Sequence, residues 1–142
     1  MMNIDTLIDA GYVSKVTPAK DLAEKEFVES DYDLKSAKSE LTSGNWKWSI
    51  VKAYYSMFHA ARGVLFLSGL KEKSHFAVAE VMEAFVKEGK IESKFANYFR
   101  AAMSAREGAD YHYKHPKHTA EEMILYAEEF CETMKMIAKK IR

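Results

Sequence analysis

Hydrophobic residues recur three and four positions apart along most of the chain, which is the spacing of one face of an α-helix. The first long stripe predicts a helix that begins at Thr17-Pro18, where a hydroxyl cap precedes a proline, and ends at Ser43-Gly44. A shorter helix is predicted over residues 4–10, before Gly11. The stripe consists of Ala23, Phe27, Ser30, Leu34, Ala37 and Leu41.

The next helix, about residues 45–67, is apolar on nearly every side. A helix with this pattern lies at the centre of a fold, or contacts both a core and a partner. Ser68-Gly69 ends it, and residues 70–73 predict a lysine-rich turn. Its apolar residues are Trp46, Ile50, Val51, Tyr54, Tyr55, Met57, Phe58, Ala61, Val64 and Leu65.

Three further helices are predicted in the second half of the chain. Ser74 is placed to cap a helix that runs to about Lys87, before the break at residues 88–90, and Ser93 is placed to cap the next. Thr119 and Glu122 form the pattern of a capping box for the last helix. The predicted inward residues are Phe76, Val78, Val81, Met82 and Phe85, then Phe95, Phe99, Ala102, Arg106 and Ala109, then Ile124, Ala127, Cys131, Met134, Ala138 and Ile141.

Three long and two shorter helices predict an all-α fold, an antiparallel bundle of about five helices. A length of 142 residues predicts one domain, 1–142, with residues 1–16 as a peripheral segment. Lys+Arg and Asp+Glu number 21 each, so a broad nucleic-acid-coating surface is disfavoured, whereas a local phosphate site is not. A single cysteine, an acidic N-terminus and the absence of a long apolar run predict a cytoplasmic protein that does not enter membranes.

Candidate chemistry concentrates in the segment Arg106-Glu-Gly-Ala-Asp-Tyr-His112. Arg106 carries a permanent charge on an otherwise apolar stripe, and Asp110, one turn later, is its expected partner. His112 exchanges protons near neutral pH. Six helical steps place the two side chains on different faces. They converge only if the chain leaves the helix between them, which Gly108 permits, or if the second residue comes from another subunit.

The other histidines and aromatic residues have more ordinary explanations. His112, His115 and His118 form a His-x2-His-x2-His run, but Lys114 and Lys117 oppose a cation there, so no metal site and no cofactor is predicted. His59 is expected to be a hydrogen-bonded core residue, with a second functional role left open. Tyr54 and Tyr55 are expected to pack inside, and Trp46 and Trp48 to lie in the core or an interface. Phosphate loops, nucleophile elbows and Cys-x-x-Cys pairs are absent.

Residues 53–67 read Ala-Tyr-Tyr-Ser-Met-Phe-His-Ala-Ala-Arg-Gly-Val-Leu-Phe-Leu and precede Ser68-Gly69. This run, with the later Arg-Glu-x-Ala-Asp-Tyr segment, resembles the small HEPN proteins (higher eukaryotes and prokaryotes nucleotide-binding domains), and a prokaryotic branch of them in particular. The resemblance covers roughly residues 18–140. HEPN domains are helical bundles that usually pair as homodimers, and many carry an Arg-x4-6-His motif on a late helix. Arg106 and His112 fit that window.

The resemblance implies a metal-independent endoribonuclease of toxin type, neutralised by a minimal nucleotidyltransferase antitoxin. In such a protein Arg106 holds the scissile phosphate at the homodimer cleft and His112 transfers protons, which leaves a 2′,3′-cyclic phosphate and a 5′-hydroxyl. Glu107, Asp110 and Tyr111 would support the site. However, Glu107 stands where active toxins commonly have a small polar residue. A non-catalytic HEPN module that binds a nucleotide or a nucleotidyltransferase is therefore the alternative.

Overall fold

A computed structural model describes residues 2–141, which form six helices and two short strands. In chain order these are α1 (Ile4–Asp9), β1 (Val13–Lys15), α2 (Lys20–Thr42), α3 (Trp46–Leu67), β2 (Leu70–Glu72), α4 (His75–Lys87), α5 (Ser93–Tyr111) and α6 (Lys117–Ile141). The predicted all-α class is confirmed, with the three long and two shorter helices and the short leading one.

Helix α3 lies at the centre, as its all-round apolar pattern predicts. It packs against α2, α5 and α6, and fifteen of its residues are buried. The large apolar residues of its middle, Tyr54, Met57 and Phe58 among them, join the core with Phe99 of α5 and Phe130 of α6. Helix α3 thus contacts four other helices, α2, α4, α5 and α6, as well as β2.

Residues 70–72 form a strand, β2, where a turn is predicted over residues 70–73. Val13 to Lys15 pair antiparallel with Glu72 to Leu70, and this ladder ties the N-terminal segment to the end of α3. Leu7 and Val13 are buried in the main core. Each strand has only three residues, too few for the alternation that identifies a strand in a sequence.

The predicted starts of three helices were wrong by one to three residues. The N–H groups of Val16 and Ala19 donate to the carbonyls of Gly69 and Phe66, so this segment stays extended and α2 begins at Lys20 instead of Thr17-Pro18. Helix α5 takes Glu92 as its N-cap in place of Ser93. Helix α6 starts directly after Pro116, whose carbonyl accepts from Thr119, so Thr119 does not cap it.

Two residues predicted to face inward are exposed instead. Phe76 is 46% exposed because it lies in the first turn of α4, at the edge of the bundle, where its ring meets Tyr12. Ile141 is 43% exposed at the last turn of α6. Ser74 does cap α4, by accepting from the N–H of Ala77. The predicted inward faces of the helices are therefore correct along their length, and the two exposed residues lie at helix ends.

Gly63 allows α2 and α3 to approach closely. A Cβ atom at this position would lie 2.6 Å from the Phe27 ring, which is itself buried. We expect Gly63→Ala to lower the free energy of unfolding by about 1–2 kcal/mol, since overpacking costs more than the gain in helix propensity. Thermal unfolding followed by circular dichroism measures this.

The matched control is Gly108→Ala, also in a helix, where a new Cβ would approach nothing closer than 3.8 Å. That variant is expected to be neutral or more stable by up to about 1 kcal/mol. Equal unfolding temperatures for the two variants would contradict the close approach at Gly63.

Candidate functional site

The guanidinium group of Arg106 lies in a cradle of three tyrosine rings. Its Cζ is 5.3 Å from the ring centroid of Tyr54, 5.9 Å from that of Tyr55 and 5.8 Å from that of Tyr111. The first two rings belong to α3 and the third to the end of α5, and the Arg106 side chain is only 14% exposed. Aromatic faces attract the cation without engaging its N–H donors, so the cradle fixes the group and leaves it able to bind.

Few of those donors are engaged within the protein. The predicted partner Asp110 is present, but its Oδ2 lies 3.7 Å from the Arg106 Nη1, which is too long for a hydrogen bond. The Arg106 Nε is buried and donates to no acceptor in the described part of the chain. The protein therefore leaves this cation without a close acceptor, and its exposed part is open to an anionic ligand.

Tyr54 joins the cradle to a histidine of a different helix. Its side chain is fully buried, and its hydroxyl lies 2.6 Å from the Nδ1 of His75, the first residue of α4. Burial raises the pKa of Tyr54 well above its usual range, so the phenol keeps its proton. With the proton of the neutral imidazole assigned to Nε2, the phenol O–H donates a hydrogen bond to Nδ1. Burial and then the neighbouring Arg106 charge lower the pKa of His75, which is therefore a neutral acceptor at pH 7.

His112 and Arg106 do not meet on one face of α5. The helix is continuous to Tyr111, so Gly108 does not break it, and six residues separate the two side chains by roughly 120° around the axis. His112 is the C-cap, and its N–H donates to the Gly108 carbonyl at 3.1 Å. Its side chain is exposed. A break in the helix at Gly108, which could have brought the two side chains together within one chain, is therefore absent from α5. The other possibility left open by the sequence is that the second residue comes from another subunit.

The three predicted supporting residues differ in their relation to Arg106. Asp110 lies near it as an ion pair, and the Tyr111 ring packs on it although this tyrosine is 65% exposed. Glu107 is exposed on the neighbouring side of α5, and its charge acts on the Tyr54 phenol. Two of the three thus contact the guanidinium directly, and the third contributes only to the local field.

The segment that follows α5 is basic and aromatic. Between Tyr111 and Ala120 the chain has two lysines and three histidines but no acidic residue. Tyr113 takes a left-handed backbone conformation, φ 56°, which turns the chain sharply, and the N–H of Lys114 returns to the carbonyl of Gly108. Among residues 2–141 no three His, Cys, Asp or Glu side chains lie close enough together to hold a metal ion.

His59 lies in a separate network of charges on the half-exposed edge of α3. Its Nδ1 is 2.6 Å from Glu26 Oε2, and its Nε2 is 3.6 Å from Asp33 Oδ2, both on α2. Arg62 pairs with the same Glu26 and with Glu72, at 3.0 Å each. The prediction that His59 is hydrogen-bonded is confirmed, although its side chain remains 21% exposed.

We expect His59→Ala to lower the free energy of unfolding by about 1–3 kcal/mol, because Glu26 and Asp33 would lose a shared partner in a half-buried setting. Burial already raises the pKa of Asp33 and the His59 charge opposes this, so the carboxylate is sensitive to the loss. Urea unfolding measures the effect, with His118→Ala, exposed at the start of α6, as the matched control. A loss of function in His59→Ala without a loss of stability would assign it to a binding role instead.

Cys131 has a structural role. It is buried beside Ser30 and the Ser56 carbonyl, and burial raises the pKa of its thiol to about 11. A thiol that stays protonated is a poor nucleophile and a poor metal ligand.

Of the two tryptophans, Trp46 packs against a small buried cluster with Ile50, whereas Trp48 is 49% exposed. No helix in the part of the chain that the structure describes is long and apolar enough to cross a bilayer.

Sequence reasoning missed His75 and the partners of His59. His75 and Tyr54 are 21 residues apart and lie on different helices, so no helical spacing connects them. Its one local signal was its position directly after the Ser74 cap, which identifies a helix start and not a polar contact. Glu26 and Asp33 lie on α2 next to residues of the apolar stripe. In the sequence, acidic residues at such positions are typical of a solvated helix face, so their contact with His59 was not predicted.

Comparison with known proteins finds one domain family and several relatives that are similar to this chain. The HEPN domain model matches residues 23–137, which includes Arg106 and His112. A UPF0332 protein, PH1297 of Pyrococcus horikoshii, is 38% identical over 82 residues, 57% of this chain and 58% of that one. The Methanocaldococcus jannaschii protein named Putative toxin MJ0605 is 30% identical over 114 residues, 79% of this chain and 85% of that one.

A second protein of that organism, named Putative toxin MJ0142, is 24% identical over 89 residues, or 62% of this chain and 60% of that one. The chain thus spans a little over half the length of the Pyrococcus relative and most of MJ0605. The domain model covers well over half of the sequence, and the helical architecture agrees with it. This chain belongs to the HEPN domain family.

Proposed function

We propose that this protein is a metal-independent endoribonuclease of toxin type, and that its site combines Arg106 of one subunit with His112 of a second. The main observation in support of the proposal is the environment of the Arg106 guanidinium. Its guanidinium is fixed by three aromatic rings, nearly buried, and has an Nε donor without an acceptor. Such a group is prepared for an oxyanion, and a phosphodiester presents two non-bridging oxygens that match the guanidinium fork.

The reaction is attack of a ribose 2′-hydroxyl on the adjacent phosphorus. Arg106 would hold the non-bridging oxygens and offset the negative charge that grows on them in the transition state. His112 would take the proton of the 2′-hydroxyl, or give one to the departing 5′-oxygen, and its exposure leaves it free to reach RNA. The bond from phosphorus to the 5′-oxygen breaks, and the products carry a 2′,3′-cyclic phosphate and a 5′-hydroxyl.

The geometry of α5 favours a site shared between subunits. The helix separates Arg106 and His112 around its axis, so one protomer does not present both to the same phosphate. In a two-fold dimer formed around this end of α5, the His112 of each subunit faces the Arg106 of the other. The basic segment after Tyr111 then lies along the cleft. It supplies a local positive potential, although the net charge of the whole chain is zero.

The partners follow from the same proposal. The substrate is RNA, and the names of the two Methanocaldococcus relatives support a toxin that is held in check by an antitoxin. A minimal nucleotidyltransferase is the proposed antitoxin, and the proposed compartment is the cytoplasm. The alternative function is a non-catalytic HEPN module that binds a nucleotide or that nucleotidyltransferase. Zero net charge and the Asp110 carboxylate near Arg106 favour this alternative, since both weaken attraction for long RNA.

Incubation of a mixed set of RNAs in excess EDTA tests the proposal. We expect cleavage that continues without metal and leaves cyclic phosphate ends, which are identified by resistance to 3′-end ligation until the ends are opened by acid and then dephosphorylated. A DNA set of the same sequences should stay intact, because it lacks the attacking hydroxyl. Intact RNA at all protein concentrations, together with saturable binding of a nucleotide, would support the alternative and overturn the nuclease.

A further inference from the structure

The hydroxyl of Tyr54 links a half-buried histidine, His75, to the arginine cradle. Arg106 packs on the Tyr54 ring, and the hydroxyl of the same residue is hydrogen-bonded to the Nδ1 of His75. His75 in turn lies flat on Phe58, with ring centroids 4.2 Å apart and planes at 12°, and meets the edge of Tyr55 at 6.0 Å. Each of these rings is restrained by the next, so the position of the guanidinium depends on His75.

We infer that His75 is a positioning residue that holds Tyr54, and through it Arg106, in the geometry that binds a phosphodiester. This inference rests on the proposed function for its catalytic consequence but not for its structural one. His75 acts through the ring of Tyr54, so it is distinct from Arg106 and His112, which would touch the substrate. It performs this role only as a neutral imidazole, because a protonated Nδ1 has no lone pair to accept from the phenol.

The surroundings of His75 keep it neutral. It is the first residue of α4, where the positive end of the helix dipole disfavours a cation. Arg106 of α5 and Arg62 and His59 of α3 also face it, whereas Glu72 of β2 is the one carboxylate that acts on it. Burial is the largest cause of the lowered pKa and Arg106 the next. Protonation would remove the acceptor of a buried phenol and place a second cation beside Arg106.

The pH dependence follows with a definite sign. Because the pKa of His75 is lower in the folded chain than in the unfolded one, the unfolded chain binds more protons as the pH falls. The stability due to the neutral Tyr54–His75 pair is therefore complete above about pH 6.5 and is lost as the pH falls through the lower, folded value. Arg106 should lose its fixed position over the same range of pH.

Three variants separate positioning from other roles. His75→Asn places an amide oxygen near the position of Nδ1 as a substitute acceptor, but does not titrate. His75→Phe fills the space and removes the acceptor, and Tyr54→Phe removes the donor. We expect His75→Phe to lower kcat/KM about 10- to 100-fold, mainly in kcat, since small displacements of an aligned group have effects of this size. His75→Asn should stay within about threefold of the wild type and remain active at lower pH.

Coupling between the two residues provides the second readout. The double variant His75→Phe/Tyr54→Phe should lose no more than the worse single variant, because both remove the same hydrogen bond. Arg100→Ala, which loses an arginine paired with Glu80 and Glu83 outside the cradle, is the control and should not change the pH profile. Additive losses, or a His75→Asn variant as impaired as His75→Phe, would overturn the inference, the latter in favour of direct contact between His75 and RNA.

The Arg106 Nε–H resonance in a nitrogen-15 spectrum tests the inference without any cleavage. We expect it to shift and broaden in His75→Phe and in the wild type at low pH, and to stay sharp in His75→Asn, with the Arg100 resonance unchanged throughout. An Arg106 resonance that is the same in all variants would overturn the positioning role. If the wild type does not cleave RNA but this resonance responds as expected, the nuclease fails and the role of His75 stands.

Discussion

Arg106→Ala is expected to reduce RNA cleavage by at least about 100-fold, because it removes the cation that offsets charge on the phosphate in the transition state. Arg106→Lys should recover little of that loss. A lysine keeps the charge but has no planar fork, and its shorter reach does not replace the stacking on Tyr54 and Tyr55. Initial rates with a fluorescent RNA substrate, measured in EDTA, give both numbers.

The matched control for Arg106 is Arg100, on the same helix six positions earlier. Its guanidinium pairs with Glu80 and Glu83 of α4 at 3.1 and 3.0 Å and contacts no ring of the cradle. Arg100→Ala should therefore cleave RNA at nearly the wild-type rate, with at most a modest loss of stability. Equal losses in the two alanine variants would show that the effect arises from general destabilisation of α5 and would contradict the role of Arg106.

His112→Ala is expected to lower the cleavage rate by about 100- to 10,000-fold, the usual contribution of a positioned acid–base group. Its side chain is exposed beyond the end of α5, so the unfolding temperature should not change. His118→Ala, in the same basic segment, should retain activity. Comparison of rates and of thermal unfolding for the two variants measures this, and an active His112→Ala would require a different proton carrier.

The helices could be predicted from the sequence because their signals are periodic and local. The stripe on α2, the all-round apolar pattern of α3 and the Ser74 cap of α4 all appear in the structure. The errors lie where backbone hydrogen bonds between distant segments decide the outcome. Thr17-Pro18 does not start α2 because Val16 and Ala19 bond to Gly69 and Phe66, at and just beyond the end of α3. Residues 70–72 form a strand because β1 is available to pair.

The candidate site could be predicted only in part. Arg106 stood out because a charge on an apolar stripe is unusual, and its neighbour Asp110 followed from helical spacing. The cradle itself depends on two helices, α3 and α5, that meet in space. Tyr54 and Tyr55 were interpreted as packing residues, which they are, but packing places their faces against the guanidinium. His75 of α4 contacts Tyr54 of α3, 21 residues earlier in the chain, and helical spacing predicts contacts only within one helix.

Mixed dimers of Arg106→Ala and His112→Ala chains test the central claim most directly. Co-expression with two different affinity tags and purification on both yields dimers that carry one copy of each. If each site takes Arg106 from one subunit and His112 from the other, one of the two sites in a mixed dimer is intact, and about half of the wild-type activity should return, although each parent variant is inactive. Mixed dimers as inactive as their parents would contradict a site shared between subunits.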